Sequence, residues 1–399
     1  MLEKALIGDK KYWAWIGFLI IVIFTGFMFF MRQLSEGLTV TGLSRDVPWG
    51  LYIAQLTFLV GVAASAVMVV LPYYLHNYKK FGKLVILGEF LAIPSVIMCM
   101  LFVFVDMGQP FRVTNVFLNP TPNSPMFWDS VVLSLYMLLN ILIGGVTLGA
   151  EKKGIAPPKW IKPFIYISIP VAVSIHTVTA FLYSGLSARA FWMTAIMAPR
   201  FLASAFAAGP SLLLLLVFIV RKFSKFSPDK EAIQKLAQII TYAMCLNVFF
   251  ILMEVFTTAY SAIPEHMNHM KFMYFGLDGN TTLVPWMWTS SILAIFSLIL
   301  LINPKTRKKE NILAIACIMV FVSLWIEKGF ALITTGFTPT PFDTVTPYSP
   351  TTTEVFITLG IYALGFLIVT LLYKVVIGVR NQRLTDEEET TRAEAHAIT

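Results

Sequence analysis

Ten long apolar stretches constrain this chain more than any other feature of its sequence. They lie near 12–31, 50–75, 84–105, 126–150, 164–184, 200–221, 236–260, 284–303, 312–330 and 354–378. Each is long enough to cross a hydrocarbon core of ~30 Å as an α-helix. Within such a core every backbone N–H and C=O must find a partner in the chain, which leaves only helices and closed barrels. A barrel would show shorter segments of strict alternation, whereas these stretches are apolar on all sides. Charged residues make up 13% of the sequence, about half the share of a soluble domain. The sequence therefore predicts an all-α, polytopic integral membrane protein with ten transmembrane helices.

The basic residues orient it. Of 30 Lys and Arg, all but Arg32, Arg45, Arg112, Arg189, Arg200, Lys271 and Lys328 fall in the two terminal arms and in alternate connections. Positive charge stays on the cytoplasmic side, so both termini are expected in the cytoplasm, with the chain in the cell (inner or plasma) membrane. The net charge of +8 is then a topology signal. There is no interleaved basic and aromatic run of the kind that binds nucleic acid. The first apolar stretch is too long for a signal-peptide core and reads as a retained helix. The polar end, LTDEEETTRAEAHAIT, is expected to be frayed or disordered. Outer connections are long and proline-rich and inner ones are short and basic, which suggests a docking platform on the outer face.

Several cofactors lack ligands. The three cysteines, Cys99, Cys245 and Cys317, each stand alone in an apolar stretch. With no C-x-x-C, an iron–sulfur cluster held by this chain is not expected, nor is a c-type haem. Of five histidines only His176 lies inside a span, so b-type haem with two histidine ligands is not expected either. His266 and His269 make an i, i+3 pair, but no third metal ligand is evident.

Ionisable groups inside spans are costly and each is a functional candidate. They are Glu89, Asp106, His176, Arg200, Glu254, Glu327 and Lys328. Counted at ~1.5 Å per residue, all but Glu89 sit toward the outer side. Asp106, His176, Tyr52 and Gln55 are expected to converge between the second, third and fifth helices, with Trp49 at the mouth. A carboxylate and an imidazole there suit quinol oxidation, which releases two protons with two electrons. Structural roles stand beside each reading. Asp106 would pair with Arg112, and His176 would bridge helices by a hydrogen bond. Glu254 would pair with Lys328, Glu327 and Lys328 would neutralise neighbouring charges, and Arg200 would anchor a helix at the interface. Gly61, Ala63, Ala64, Ser65 and Ala66 would form a close-packing face.

Five pieces, in order, resemble one known family. DMGQPFRV is similar to the D-L-G-x-P-x-R-F helix end of the NrfD/PsrC family, the membrane subunits of polysulfide reductase type. PWGLYIAQLTFLVGVAASAV resembles that family's first bundle helix and SIHTVTAFLYSG its histidine-bearing helix. WIEKG resembles its W-x-E-R helix end, with Lys328 where Arg is common. YSPTTTEVFITLG is similar to the last-helix opening of the ten-helix branch. Within that branch of HybB- and DsrP-type subunits, EVFTTAYS, YFGLDGN and LVPWMWTSS look most like the DsrP type. The resemblance implies two four-helix bundles, helices 2–5 and 6–9, with a flanking helix at each end. On this reading residues 1–47 hold the first helix and an outer loop, 48–184 the first bundle with the quinone site, 185–331 the second bundle, and 332–399 an outer loop, the last helix and a cytoplasmic tail. It implies menaquinone as the redox ligand and an outer, periplasmic ferredoxin-like iron–sulfur subunit as partner. Other membrane and haem subunits of a DsrMKJOP-like complex of sulfur metabolism would complete the assembly.

Together these readings make the chain a quinone-reactive membrane subunit, not catalytic alone. His176, Asp106, Tyr52, Gln55 and Trp49 are the quinone-binding candidates, and Glu89, Glu254, Glu327 and Lys328 the proton-transfer candidates. A secondary transporter would instead gather its ionisable groups near the midplane on broken helices. A passive anchor would leave the polar cluster without a ligand.

Overall fold

The computed structural model describes residues 2–224, 226–342 and 344–398. Among them ten helices are long and apolar enough to cross a membrane. They are α1 (Lys10–Glu36), α2 (Leu51–Tyr74), α3 (Gly82–Asp106), α4 (Pro125–Lys152), α5 (Lys162–Ser184), α6 (Met197–Phe223), α7 (Lys230–Ser261), α8 (Val284–Ile302), α9 (Glu310–Phe337) and α10 (Thr352–Ile398). Ten crossings put both termini at one end of the array, the terminal face. The connections 37–50, 107–124, 185–196, 262–283 and 338–351 lie at the other end, the loop face.

Helix ends follow local chemistry. Asp9 caps α1 through the Tyr12 N–H, and Asp229 caps α7 through the Glu231 N–H, each satisfying an orphan donor of a first turn. Proline opens α4 and stands in the first turn of α5 and α8, where its missing N–H costs nothing. The structure lengthens two elements relative to the sequence reading. Helix α9 runs on to Phe337, beyond the apolar stretch expected near 312–330, and carries Glu327, ion-paired to Arg200, and Lys328, which donates to the Phe201 carbonyl, inside it. Helix α10 continues to Ile398, where fraying was expected; Glu, Ala and Arg in that segment are good helix formers.

Helix α2 is apolar on every side and buried from Leu51 to Val70, as a helix at the centre of an array must be. It touches α3, α5, α6, α9 and α10. Helices α2, α3, α4 and α5 pack in one ring and α6, α7, α8 and α9 in another. Where α2 crosses α6, Gly61 and Ser65 lie against Ala205 and Gly209, the small-residue contact through which helices approach closely in lipid. Helix α1 packs on α10, and α10 on α3. A Cβ on Gly26 would come within 2.7 Å of Gly360 Cα, so the α1–α10 crossing requires glycine on both helices.

Candidate functional site

Helix α2 sends its polar side chains in opposite directions. Tyr52 and Gln55, three residues apart, share one face. The Tyr52 hydroxyl donates to Gln33 Oε1 on α1 at 2.7 Å, and Gln33 Nε2 donates to the Val105 carbonyl on α3 at 2.6 Å. Thr57, about 200° round the helix from Gln55, instead forms a short hydroxyl–hydroxyl hydrogen bond with Tyr183 on α5. Tyr52 and Gln55 therefore face α1, α9 and α10, while His176 belongs to the α5 side. The four residues expected in one pocket are divided between two sides of α2.

The Gln55 side is the more elaborate. Gln55 Oε1 accepts from Trp325 Nε1 at 2.7 Å and from the Tyr362 hydroxyl at 2.6 Å. Its Nε2 is buried with no partner. Trp325 opens a π-helical segment of α9, Trp325–Ala331; such wide turns inside α-helices are frequent at functional sites. Gly329 lets this turn lie on α2, because a Cβ there would stand 3.0 Å from the Ala54 carbonyl oxygen. Trp325 and Tyr362 form part of the wall of a cavity of about 680 Å³ between α2, α3, α6, α8, α9 and α10. That volume is in the range of small-molecule sites. Thr358 also lines it, and its hydroxyl is buried without a partner.

The α5 side holds His176, fully buried with neither ring nitrogen partnered among the described residues. One turn away, Thr179 donates to Asp129 Oδ1 on α4 at 2.6 Å. Above them Trp49 packs on Tyr183, Trp192 and Phe337 with ring centroids 5.7–6.0 Å apart. Trp49 lines a second cavity of about 400 Å³ on the loop face, together with Arg189, whose guanidinium stacks 4.5 Å above Phe337. Asp106 ends α3 near Tyr52. No ion pair joins it to Arg112 among the described residues; Arg112 is exposed and Asp106 Oδ1 is buried without a partner. Glu89 is buried near the terminal face, both oxygens unpartnered, facing Gly144 on α4.

The remaining charges form one group between α6, α7 and α9. Arg200 is ion-paired to both Glu254 and Glu327, and Lys328 donates to the Phe201 carbonyl at 3.2 Å. This corrects two expectations. Glu254 pairs with Arg200 rather than with Lys328, and Arg200 is a buried hub rather than an interface anchor. The physical reason is geometry. A guanidinium fork on the first turn of α6 serves two carboxylates on different helices, which a single ammonium on α9 cannot. Two cations and two carboxylates leave the group neutral, the condition for burying charge.

At the loop face, the Tyr348 hydroxyl donates to Glu354 Oε1 at 2.7 Å and accepts from the Leu51 N–H at 2.6 Å. Glu354 Oε2 accepts from the Gly42 N–H at 2.8 Å. The sequence motif YSPTTTE thus ties the start of α10 to that of α2. In the connection 262–283 a short helix, Pro264–Tyr274, carries His269, whose Nδ1 lies 3.1 Å from the Thr338 carbonyl. One nitrogen of the His266–His269 pair is therefore engaged with backbone. Burial pushes the His269 imidazole down to about 4.

Sequence reasoning missed Asp129, Arg200 as a hub, Trp325 and Tyr362. Asp129 carried a signal, being a carboxylate four residues into an apolar stretch. Trp325 and Tyr362 carried none, because an aromatic residue in a span is ordinary until its partner is known.

Residues 39–340 match the family described as Polysulphide reductase, NrfD. Among similar proteins, one from Halobacterium salinarum that is named for the membrane subunit of a dimethyl sulfoxide reductase is 26% identical over 402 residues, 89% of each chain. A selenate reductase subunit of Mesobacillus selenatarsenatis is 24% identical, covering 75% of this chain and 76% of its own. The Hdr-like menaquinol oxidoreductase integral membrane subunit of Archaeoglobus fulgidus is 23% identical, covering 83% of this chain and 81% of its own.

Proposed function

Because this chain belongs to the polysulphide reductase NrfD family, we propose that it is the quinone-interacting membrane subunit of a respiratory electron-transfer complex. In this reading it exchanges electrons between menaquinol or menaquinone in the bilayer and an iron–sulfur subunit docked on the loop face. That face is periplasmic and both termini are cytoplasmic, as the distribution of Lys and Arg supports. The relatives named as subunits of reductases and of a menaquinol oxidoreductase support membership in a multi-subunit complex. The DsrP-like motifs favour sulfite or sulfate metabolism and a DsrMKJOP-like set of partners. The ring packing of α2–α5 and of α6–α9 favours the division into two bundles.

The observation that carries the reading is Gln55. Two residues of the wall of an apolar cavity hold its amide oxygen, and its own N–H₂, just behind that wall, has no acceptor among the described residues. A buried donor without a partner is costly, and a quinone carbonyl is an acceptor of the required kind. The aromatic wall suits a flat ring and the apolar remainder suits a lipid tail. Quinol supplies two electrons and two protons. The protein's part is to fix the ring through Gln55, with Thr358 as a second buried donor, and to exclude water around it. Of the proton-transfer candidates, Glu89 has no hydrogen-bond partner among the described residues, whereas Glu254, Glu327 and Lys328 are held by Arg200 and Phe201. Glu89 is therefore the favoured step toward the terminal face.

A second position, on the α5 side, is favoured by the two unpartnered nitrogens of His176, with Asp106 and Trp49 toward the loop face. One experiment separates them. Quenching of a fluorescent quinol analogue by the purified complex would be compared for Gln55→Leu, His176→Ala and Asp106→Asn. Loss in Gln55→Leu alone, with the complex assembled, supports the α9–α10 cavity. Loss in His176→Ala or Asp106→Asn alone moves the ring to the α5 side. Normal binding and quinol-dependent turnover in all three removes both positions.

A further inference from the structure

The same cavity is chemically graded along its length. Helix α10 lines it with Val355, Thr358, Tyr362, Phe366 and Val369. This stripe at helical spacing runs about 21 Å along the helix, most of the thickness of a hydrocarbon core. Toward the loop face the wall is aromatic and hydroxyl-bearing, with Trp286, Phe330, Thr334, Thr338 and Tyr348. Below Tyr362, toward the terminal face, it is apolar apart from the Ser95 hydroxyl, with Leu59, Leu91, Met98, Leu216 and Val322 beside the rings of Phe321 and Phe366. Trp325 and Tyr362, the two donors that hold Gln55 behind the wall, stand at the change between the halves.

We propose that the lower half is a tail channel, so that this subunit discriminates quinones by the length of the isoprenoid chain, with the ring held toward the loop face and the tail directed toward the terminal face. The inference rests on the quinone reading above and adds an orientation and a selectivity to it. From Tyr362 to Val369 the channel extends about 10 Å. A prenyl chain of several units fills that length, and a tail-less naphthoquinol leaves it empty. Contact with aliphatic side chains is worth roughly 25 cal/mol per Å² of apolar surface buried. Tail length therefore enters affinity directly, and only where the channel is open.

Two substitutions on different helices plug the lower half away from Gln55. Leu216→Trp enters from α6, where Leu216 is half-buried, and Val322→Trp from α9, where Val322 is 36% exposed, so neither needs the helix core to repack. The assay is displacement of a fluorescent quinol analogue from the purified complex by menadiol, which has no tail, and by tetraprenyl-menaquinol in the same micelles. The expected result is that each tryptophan lowers the ratio of tetraprenyl-menaquinol to menadiol affinity at least about tenfold, and that Leu216→Ala does not lower it. A ratio unchanged in both tryptophan variants overturns the tail channel and leaves the quinone reading standing. Failure of either quinol to displace the analogue from the parent complex overturns both.

Discussion

Arg200 is the sharpest test of how this fold tolerates charge inside a membrane. Its side chain is 11% exposed and its guanidinium joins Glu254 and Glu327, whose side chains are 17% and 6% exposed, on two other helices. Arg200→Met keeps the packed volume but leaves two carboxylates facing one another with Lys328 as the nearest cation. Removing one partner of a buried pair costs about 3–5 kcal/mol, whereas replacing a whole buried ion group by uncharged residues is close to neutral. Glu254, being partly open, relaxes toward water, so the lower part of that range applies. Spread over a chain of this size it lowers the thermal midpoint by roughly 3–5 °C. The assay is the midpoint of the detergent-solubilised complex, read as loss of the monodisperse species. The double variant Arg200→Met, Glu254→Gln should recover most of the loss, because the remaining Glu327 carboxylate and Lys328 ammonium balance one another. A single variant within about 1 °C of the parent would refute the reasoning, as would a double variant less stable than the single one.

Other consequences are equally concrete. Gly26→Leu forces α1 away from α10 at a cost of about 1–3 kcal/mol or more, because the new side chain meets the Gly360 backbone; a disulfide between Phe29→Cys and Phe356→Cys, whose rings stack at 4.6 Å, should form in the parent background and fail in the Leu variant. Tyr348→Phe removes the acceptor of the Leu51 N–H and the donor to Glu354, and should cost about 1–3 kcal/mol in thermal stability; a midpoint equal to that of the parent would show that water replaces both bonds. His269 is held neutral by burial, with its imidazole pushed down to about 4. The unfolded chain therefore takes up the proton first, and this contribution, complete above about pH 6.5, is lost as pH falls toward 4. His269→Gln should flatten that part of the stability–pH curve, measured as midpoints between pH 7 and 4, and an unaltered slope would remove His269 from it.

Much of the architecture was legible in the amino-acid sequence because a bilayer is a severe solvent. Ten spans, helical structure and alternation of basic connections follow from the cost of bare backbone and bare charge in hydrocarbon, and both signals are local. The motifs of the NrfD family were legible for the same reason, being contiguous runs such as WIEKG and YSPTTTE. The sequence also indicated which residues are unusual for a membrane, Gln55, His176, Glu89 and Glu327 among them. It did not indicate their partners, because hydropathy carries no helix phase once a helix is apolar on all sides, as α2 is. Only the tertiary structure decided that Tyr52 and Gln55 turn toward α1, α9 and α10, that Arg200 rather than Lys328 binds Glu254, and that Trp325 and Tyr362 close on one amide oxygen. Those choices depend on crossing points where Gly61, Gly209 and Gly329 let backbones meet, and on a π-helical turn in α9. Both arise from packing between segments tens to hundreds of residues apart.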